Sequence, residues 1–312
     1  MVRRLARWLV VAAGSALLGL ALISGAVYWR FLHHGPAPAA WHRVALADFT
    51  AAQAEQIRTL DDYARLEQRL FDDLQQRVYR VALPGDGSAF NRYSVGSRSD
   101  PGIWPVNWNR TFHFRPAPGA EPRGGFLLLH GLTDSPYSMR SLGEHLAGRG
   151  FEVVGLRLPG HGTAPSGLLT FRIEDMQAAV RLAARDLQAS IGSERPLYLG
   201  GYSNGGALAV DYALAVIDGE PLPRPAGLVL LSPMIGISPF AMVGRLKTGL
   251  SSLPGYERAA WETIGLEFDP YKYTSFSFHA AGETYRLTRD LSRRIERLAG
   301  GGVLQDFPPV LV

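Results

Sequence analysis

The stretch Leu197-Tyr198-Leu199-Gly200-Gly201-Tyr202-Ser203-Asn204-Gly205-Gly206 decides the reading of this chain. It joins a short apolar strand to a helix expected over Ala207 to Ile217, and it holds G-x-S-x-G at Gly201, Ser203 and Gly205. By itself that pattern is weak, since composition alone produces it in about one such chain in four. A strand before it and a helix after it give it weight. That placement holds the serine on a strained turn, while the two glycines let strand and helix approach closely enough to expose its Oγ. The Asn204 N–H then opens the helix, where the dipole favours a developing oxyanion.

Outward from this turn the grammar stays regular. Strands are expected at Phe126–Leu129, Phe151–Leu156 and Gly227–Leu231, with helices over Met139–Arg149 and Ile173–Ala189 between them. Strands that are apolar on both faces and alternate with helices specify a mostly parallel sheet covered by helices, an α/β fold. Before Arg110 the pattern differs. Thr50 and Gln53 make a capping-box pattern, followed by Ile57, Leu60, Tyr63, Leu66, Leu70, Leu74 and Val78 at helical spacing. One long amphipathic helix is expected there, ended by Pro84, Gly85 and Gly87.

Two further motifs join the first. His130-Gly131-Leu132 follows one strand, and Leu158-Pro159-Gly160-His161-Gly162 follows the next. With Gly201-Tyr202-Ser203-Asn204-Gly205 they make the region from about 110 to 312 resemble the α/β-hydrolase superfamily. The resemblance is to its monoacylglycerol lipase, bacterial carboxylesterase and serine aminopeptidase-like branch. It implies that Ser203 is the nucleophile and that the Leu132 N–H is the second oxyanion donor beside that of Asn204. His130 and His161 shape their loops rather than act as base, and residues 236–302 are an inserted cap. The cap's Phe240, Tyr256, Trp261, Phe268, Tyr271, Tyr273, Phe276, Phe278 and Tyr285 either line an acyl pocket or form its own small core.

A serine nucleophile needs a histidine and an orienting carboxylate. In this fold both follow the nucleophile, at the ends of the last two parallel strands. Here Pro308-Pro309-Val310-Leu311-Val312 reads as the start of the acid-bearing strand, and neither triad partner is present. The chain is therefore expected to be a fragment of a longer hydrolase or a degenerate homologue, and inactive as written. The expected reaction of the complete protein is hydrolysis of a small acyl ester or lipid through an acyl-enzyme. A peptidase or amidase, or a non-catalytic binding protein of the same fold, are the alternatives. Relatives that hydrolyse epoxides or haloalkanes are disfavoured, because they use aspartate where Ser203 stands.

Charge and composition narrow the partners. From Trp8 to Trp29 there is no charge for 22 residues, about 33 Å of helix, enough for a transmembrane span. Arg3, Arg4 and Arg7 precede it, which places the amino terminus in the cytoplasm and the hydrolase on the outer side. A cleaved secretory peptide is the competing reading, although this apolar run exceeds the usual core of such peptides. The expected divisions are an anchor at 1–35, a spacer and helix at 36–109, and the hydrolase domain at 110–312. The net charge of +4 resides in the anchor: without its four arginines, 28 basic residues face 28 acidic ones, too few in excess for nucleic acid. With no cysteine, thiolate chemistry and disulfides are excluded. Pro165 breaks a dinucleotide fingerprint begun by Gly160 and Gly162, Lys247-Thr248 lacks the glycine of a phosphate loop, and no His-Glu-x-x-His exists, so no cofactor or metal is expected. His279 reads as a surface or cap residue, and His33 and His34 are too few for a dedicated metal site.

Overall fold

The computed structural model describes residues 2–80, 89–236, 257–300 and 303–312. Its centre is a six-stranded sheet of β1 (Phe112–Phe114), β2 (Gly125–Leu129), β3 (Glu152–Leu156), β4 (Leu197–Tyr202), β5 (Gly227–Leu231) and β8 (Val310–Leu311). The strand order is β1-β3-β2-β4-β5-β8, and every pairing is parallel except that of β1 with β3. Alternation along each strand divides the core. Leu127 and Leu129 join Val154, Leu156 and Leu199 under the helices α5 (Ile173–Ile191) and α6 (Asn204–Ile217). Phe126 and Leu128 face the other way, with Val153, Met139 and α4 (Arg140–Ala147). The sheet is thus covered on both faces, as its apolar strands require. Register sets Leu129 beside both Leu156 and Gly201, so the loops leaving β2, β3 and β4 converge at one edge.

The segment before β1 corrects one expectation. Thr50 and Gln53 do form a capping box, the Gln53 Oε1 accepting from Thr50 N–H at 3.0 Å, but it caps a single 3₁₀ turn at Ala51–Gln53. The helix α3 (Leu60–Leu74) starts afresh at Thr59, whose Oγ accepts from Asp62 N–H while the Asp62 carboxylate accepts from Thr59 N–H. A π-turn at Gln75–Tyr79 continues it. The apolar spacing was a true signal of burial: Ile57, Leu60, Tyr63, Leu66, Leu70, Leu74 and Val78 are all buried.

This segment is fixed to the sheet by a buried ionic hub. Arg157, fully buried just after β3, meets Asp48 at 2.7 and 2.9 Å and Glu67 of α3 at 3.0 Å. Glu67 also accepts from the Thr111 hydroxyl and N–H. Burial alone would raise the Asp48 carboxyl, but the Arg157 guanidinium and the Gly160 N–H hold it below the usual carboxylate range.

At the amino terminus, α1 (Val2–His34) carries exposed Leu17, Leu18, Leu20, Leu22 and Ile23. Among the described residues no helix is long and apolar enough to cross a membrane. The expected span from Trp8 to Trp29 is therefore not among the structure's findings.

Beyond β5, β6 (Trp261–Thr263) and β7 (Phe276–Ser277) form a small antiparallel pair, and α2 (Ala40–Arg43) lies beside them through His42. The last helix, α7 (Phe278–Gly300), lies on α5 and α6 with Leu287, Leu291 and Leu298 in the main core. Its arginines are clamps: Arg286 binds Glu174 at 2.7 Å, and Arg294 binds Asp211 at 2.8 Å and Asp218 at 2.9 Å. Phe240, Tyr256 and Lys247-Thr248 lie outside the described residues.

Candidate active site

The turn between β4 and α6 has the strained geometry expected of it. Ser203 sits at φ +51°, ψ −112°, and the side chain is partly exposed. Its N–H donates to the Leu231 carbonyl at 3.0 Å, and its own carbonyl accepts from Met234 N–H at 3.0 Å, so β5 and its loop hold the bend from both sides. A Cβ at Gly201 would overlap the Gly205 backbone, and one at Gly205 would overlap the Leu129 carbonyl. Both glycines are therefore required by close approach. Among the described residues only Thr133, Ser203 and Ser232 are non-glycine residues with positive φ, and they follow β2, β4 and β5. Such strain persists only where surroundings enforce it, and it gathers at functional sites.

The loop after β2 lies against this bend. A Cβ on Gly131 would be 3.4 Å from the Ser203 Cβ and 3.0 Å from the Tyr202 ring, so only glycine lets the loop come so close. The Gly131 carbonyl accepts from the His130 ring at Nδ1 (2.9 Å) and from Asp134 N–H (3.3 Å). In a trans peptide the carbonyl and the following N–H point in opposite directions, so these bonds also fix the direction of the Leu132 N–H. The Thr133 carbonyl accepts from Tyr273 N–H at 2.7 Å, and the Tyr273 hydroxyl accepts from Thr163 N–H at 2.7 Å. The sequence sets Tyr273 among aromatics that line an acyl pocket or form the cap's own core; in the structure it ties the loops after β2 and β3 together. Nothing local in the sequence marks that contact. Ser203 and Leu132 are thus brought together with Asn204, whose N–H is the first of α6. Asn204 itself is buried, its Nδ2 pointing at Met176 Sδ (3.6 Å) and its Oδ1 without a partner among the described residues.

None of the histidines with described side chains contacts Ser203 through a ring nitrogen. His130 is fully buried, and its Nε2 accepts from Leu158 N–H at 3.0 Å, which fixes the proton on Nδ1 and occupies both nitrogens. Burial and the nearby His161 push its pKa well down. His161 places Nδ1 at 3.0 Å from the Pro159 carbonyl, and burial lowers it to about 4, too weak a base to take a serine proton at neutral pH. His42 makes the one His–Ser side-chain contact among the described residues, Nε2 to Ser275 Oγ at 2.9 Å. There Nδ1 accepts from Ala39 N–H, so the neutral ring donates from Nε2 and cannot take the Ser275 proton. His113 pairs with Glu152 at 2.7 Å at the far end of β3, and His279 donates to the Phe171 carbonyl. Among the described residues no group of three His, Asp or Glu side chains stands ready to hold a metal ion.

The aromatics expected in the cap divide. Trp261 is buried with Ala260 and Ile264, Tyr271 stacks on Tyr137 at 4.1 Å, Phe276 adjoins the main core, and Phe268 is exposed.

Residues 120–295, more than half of the chain, match the family described as serine aminopeptidase, S33. The chain belongs to this family. The α/β-hydrolase resemblance read from His130-Gly131, Leu158-Pro159-Gly160-His161-Gly162 and Gly201-Tyr202-Ser203-Asn204-Gly205, in the branch that includes the serine aminopeptidase-like sequences, is thereby shown. A thermostable monoacylglycerol lipase of Bacillus sp. (strain H-257) is 33% identical over 144 residues, 44% of this chain and 53% of the relative. The chain thus spans about half the length of that curated relative. Among solved structures, the metagenome-derived lipolytic enzymes LipS and LipT are matched at 21% identity and TM-score 0.47, over 65% of this chain and 86% of that one. A soluble variant of the Saccharomyces cerevisiae monoglyceride lipase is matched at 18% identity and TM-score 0.47, over 64% and 70%.

Proposed function

We propose that this chain is the nucleophile-bearing part of a membrane-anchored serine hydrolase that cleaves carboxylic esters, of the carboxylesterase or acylglycerol lipase type. The observation that carries the reading is the strained Ser203 at φ +51°, set against the Gly131–Leu132 loop. Ser203 Oγ attacks the acyl carbon and the alcohol leaves, giving an acyl-enzyme that water then hydrolyses. The Leu132 and Asn204 N–H groups stabilise the oxyanion of each tetrahedral intermediate. The sequence offers no orienting Asp or base His at the strand ends where this fold carries them, and the rings of His42, His113, His130, His161 and His279 bond elsewhere. Turnover of the chain as written is accordingly far below that of complete esterases.

The family name favours one second reading, hydrolysis of aminoacyl amides. The test extends the chain through the expected acid and histidine strands. It compares turnover of p-nitrophenyl esters with aminoacyl anilides, alongside fluorophosphonate labelling with and without Ser203→Ala. Labelling abolished by Ser203→Ala with ester turnover dominant supports the proposal. Dominant anilide turnover supports the amidase, and an extended chain that takes no label supports a binding protein.

The uncharged run from Trp8 to Trp29, with Arg3, Arg4 and Arg7 before it, supports anchoring with the hydrolase domain outside. Protease added to sealed inverted membrane vesicles then leaves the domain intact, and added to spheroplasts it removes it.

A further inference from the structure

A cavity of about 910 Å³ lies between the segment after α1 and the loop after β3. Its wall is built from Val44, Leu46 and Phe49 on one side, Leu169 and Phe171 on the second, and Trp261 on the third. Neither Ser203 nor Leu132 nor Asn204 lines it, and residues 38–50 of its wall precede the stretch that matches the hydrolase family.

The chemistry of the wall selects its occupant. Its ionisable groups that face inward, the half-buried Asp48 and the buried Asp175 and His42, are engaged within the protein. Asp48 binds Arg157 and Gly160 N–H, Asp175 accepts from Ala51 N–H at 2.8 Å and Arg172 N–H at 3.0 Å, and His42 bonds Ala39 N–H and Ser275. Burial lowers His42 to about 4, so it is uncharged at neutral pH. What faces the space is mostly hydrocarbon, interrupted by Thr50, Thr163, Ser166 and Thr170, and the charged side chains on its wall that are exposed are Arg43 and Glu257. A volume of this size suits a ligand rather than a packing defect. The cavity also adjoins the exit of α1: Pro38 lines it four residues after His34, and Arg258, next to Glu257, donates to the Pro36 carbonyl.

We infer that this cavity is a second ligand site, separate from the Ser203 site, and that it takes an unbranched acyl chain. The chain comes from a bilayer lipid or from a free fatty acid. The bilayer source rests on the anchored reading above; the site itself does not.

Trp261 on the wall gives the readout. The full chain is placed in phosphatidylcholine nanodiscs and titrated with 9,10-dibromostearate, or assembled with a phosphatidylcholine brominated in its chains. The Trp261 signal is taken as the difference between wild type and Trp261→Phe. The expected result is loss of that signal with one or both brominated chains, and its retention when Val44→Phe fills the cavity. Each methylene strengthens binding by about fourfold, so 2,3-dibromopropionate leaves the signal intact. Quenching by the free acid alone identifies fatty acid as the source, and quenching by the brominated phospholipid identifies the bilayer. No quenching by either, equal quenching in a folded Val44→Phe, or quenching by dibromopropionate overturns the site. A chain that does not stay with the nanodisc fails the anchored reading, while the free-acid titration still decides the cavity.

Discussion

Replacing Arg157 with methionine isolates the strongest electrostatic feature of the molecule. The guanidinium is fully buried, reaches two carboxylates at 2.7–3.0 Å and also donates to the His161 carbonyl at 3.1 Å. Arg157→Met leaves Asp48 and Glu67 buried without a cation, a change that costs about 3–5 kcal/mol. At roughly 2–4 °C per kcal/mol for a domain of this size, the melting temperature falls by about 6–20 °C. The sign with pH is also set. In the wild type the Asp48 carboxyl titrates below its unfolded value, so its contribution is present above that value and is lost as pH falls through the lower, folded one. Burial already raises the Glu67 carboxyl in the wild type despite Arg157; in the variant it acts unopposed, lifting Asp48 above its unfolded value and Glu67 further, so the folded state holds protons that the unfolded state has released and stability falls as pH rises. The gap between wild type and variant is therefore narrow near pH 4 and full at pH 7. Thermal unfolding followed by circular dichroism at a series of pH values measures it. A loss under about 1 kcal/mol at pH 7, or a gap that does not change with pH, would refute the reasoning. The triple variant Asp48→Asn, Glu67→Gln, Arg157→Met should recover part of the loss, because it leaves no lone charge.

Gly205→Ala drives a methyl into the Leu129 carbonyl, which cannot move without the sheet, and should cost about 3 kcal/mol or more by chemical denaturation. Thr59→Ala removes the cap of α3 and should cost about 1 kcal/mol, while Thr50→Ala costs less because it caps a single turn. His130→Ala leaves the Gly131 carbonyl held only by the longer Asp134 N–H bond and should slow fluorophosphonate labelling of Ser203 in the extended chain by about tenfold to a hundredfold, short of the loss from removing an oxyanion donor outright. Tyr273→Phe leaves the Thr163 N–H without its acceptor and should cost about 1–3 kcal/mol in thermal unfolding.

What could be read beforehand was what is local. The elbow at Ser203 is written in glycines two positions to either side, because the clashes that forbid a Cβ involve the very strand and helix the turn connects. The parallel sheet followed from strands apolar on both faces. The capping box at Thr50 was read correctly as a pattern and wrongly as the start of a long helix. Thr-x-x-Asp recurs nine residues later, and the decision falls to Asp175, 124 residues from Ala51, which takes the Ala51 N–H. The arginines of α7 could not be paired from sequence for the same reason: their partners Glu174, Asp211 and Asp218 lie on α5, on α6 and just past the end of α6. Contacts of that sequence separation leave no periodic trace.

The segment outside the matched family region nevertheless bears on the reactive turn, through one unbroken line of buried bonds. Asp48 and Glu67 hold Arg157, and the next residue, Leu158, donates its N–H to His130 Nε2. That bond leaves the His130 proton on Nδ1, which donates to the Gly131 carbonyl and so aims the Leu132 N–H. Were Leu158 to shift, the imidazole could adopt the other tautomer and release the Gly131 peptide. Asp48 and Glu67 are therefore part of what makes the loop beside Ser203 rigid. Arg157→Met should for this reason reduce Ser203 labelling in the extended chain even at temperatures where the variant is fully folded, and Thr59→Ala, off this line, should not.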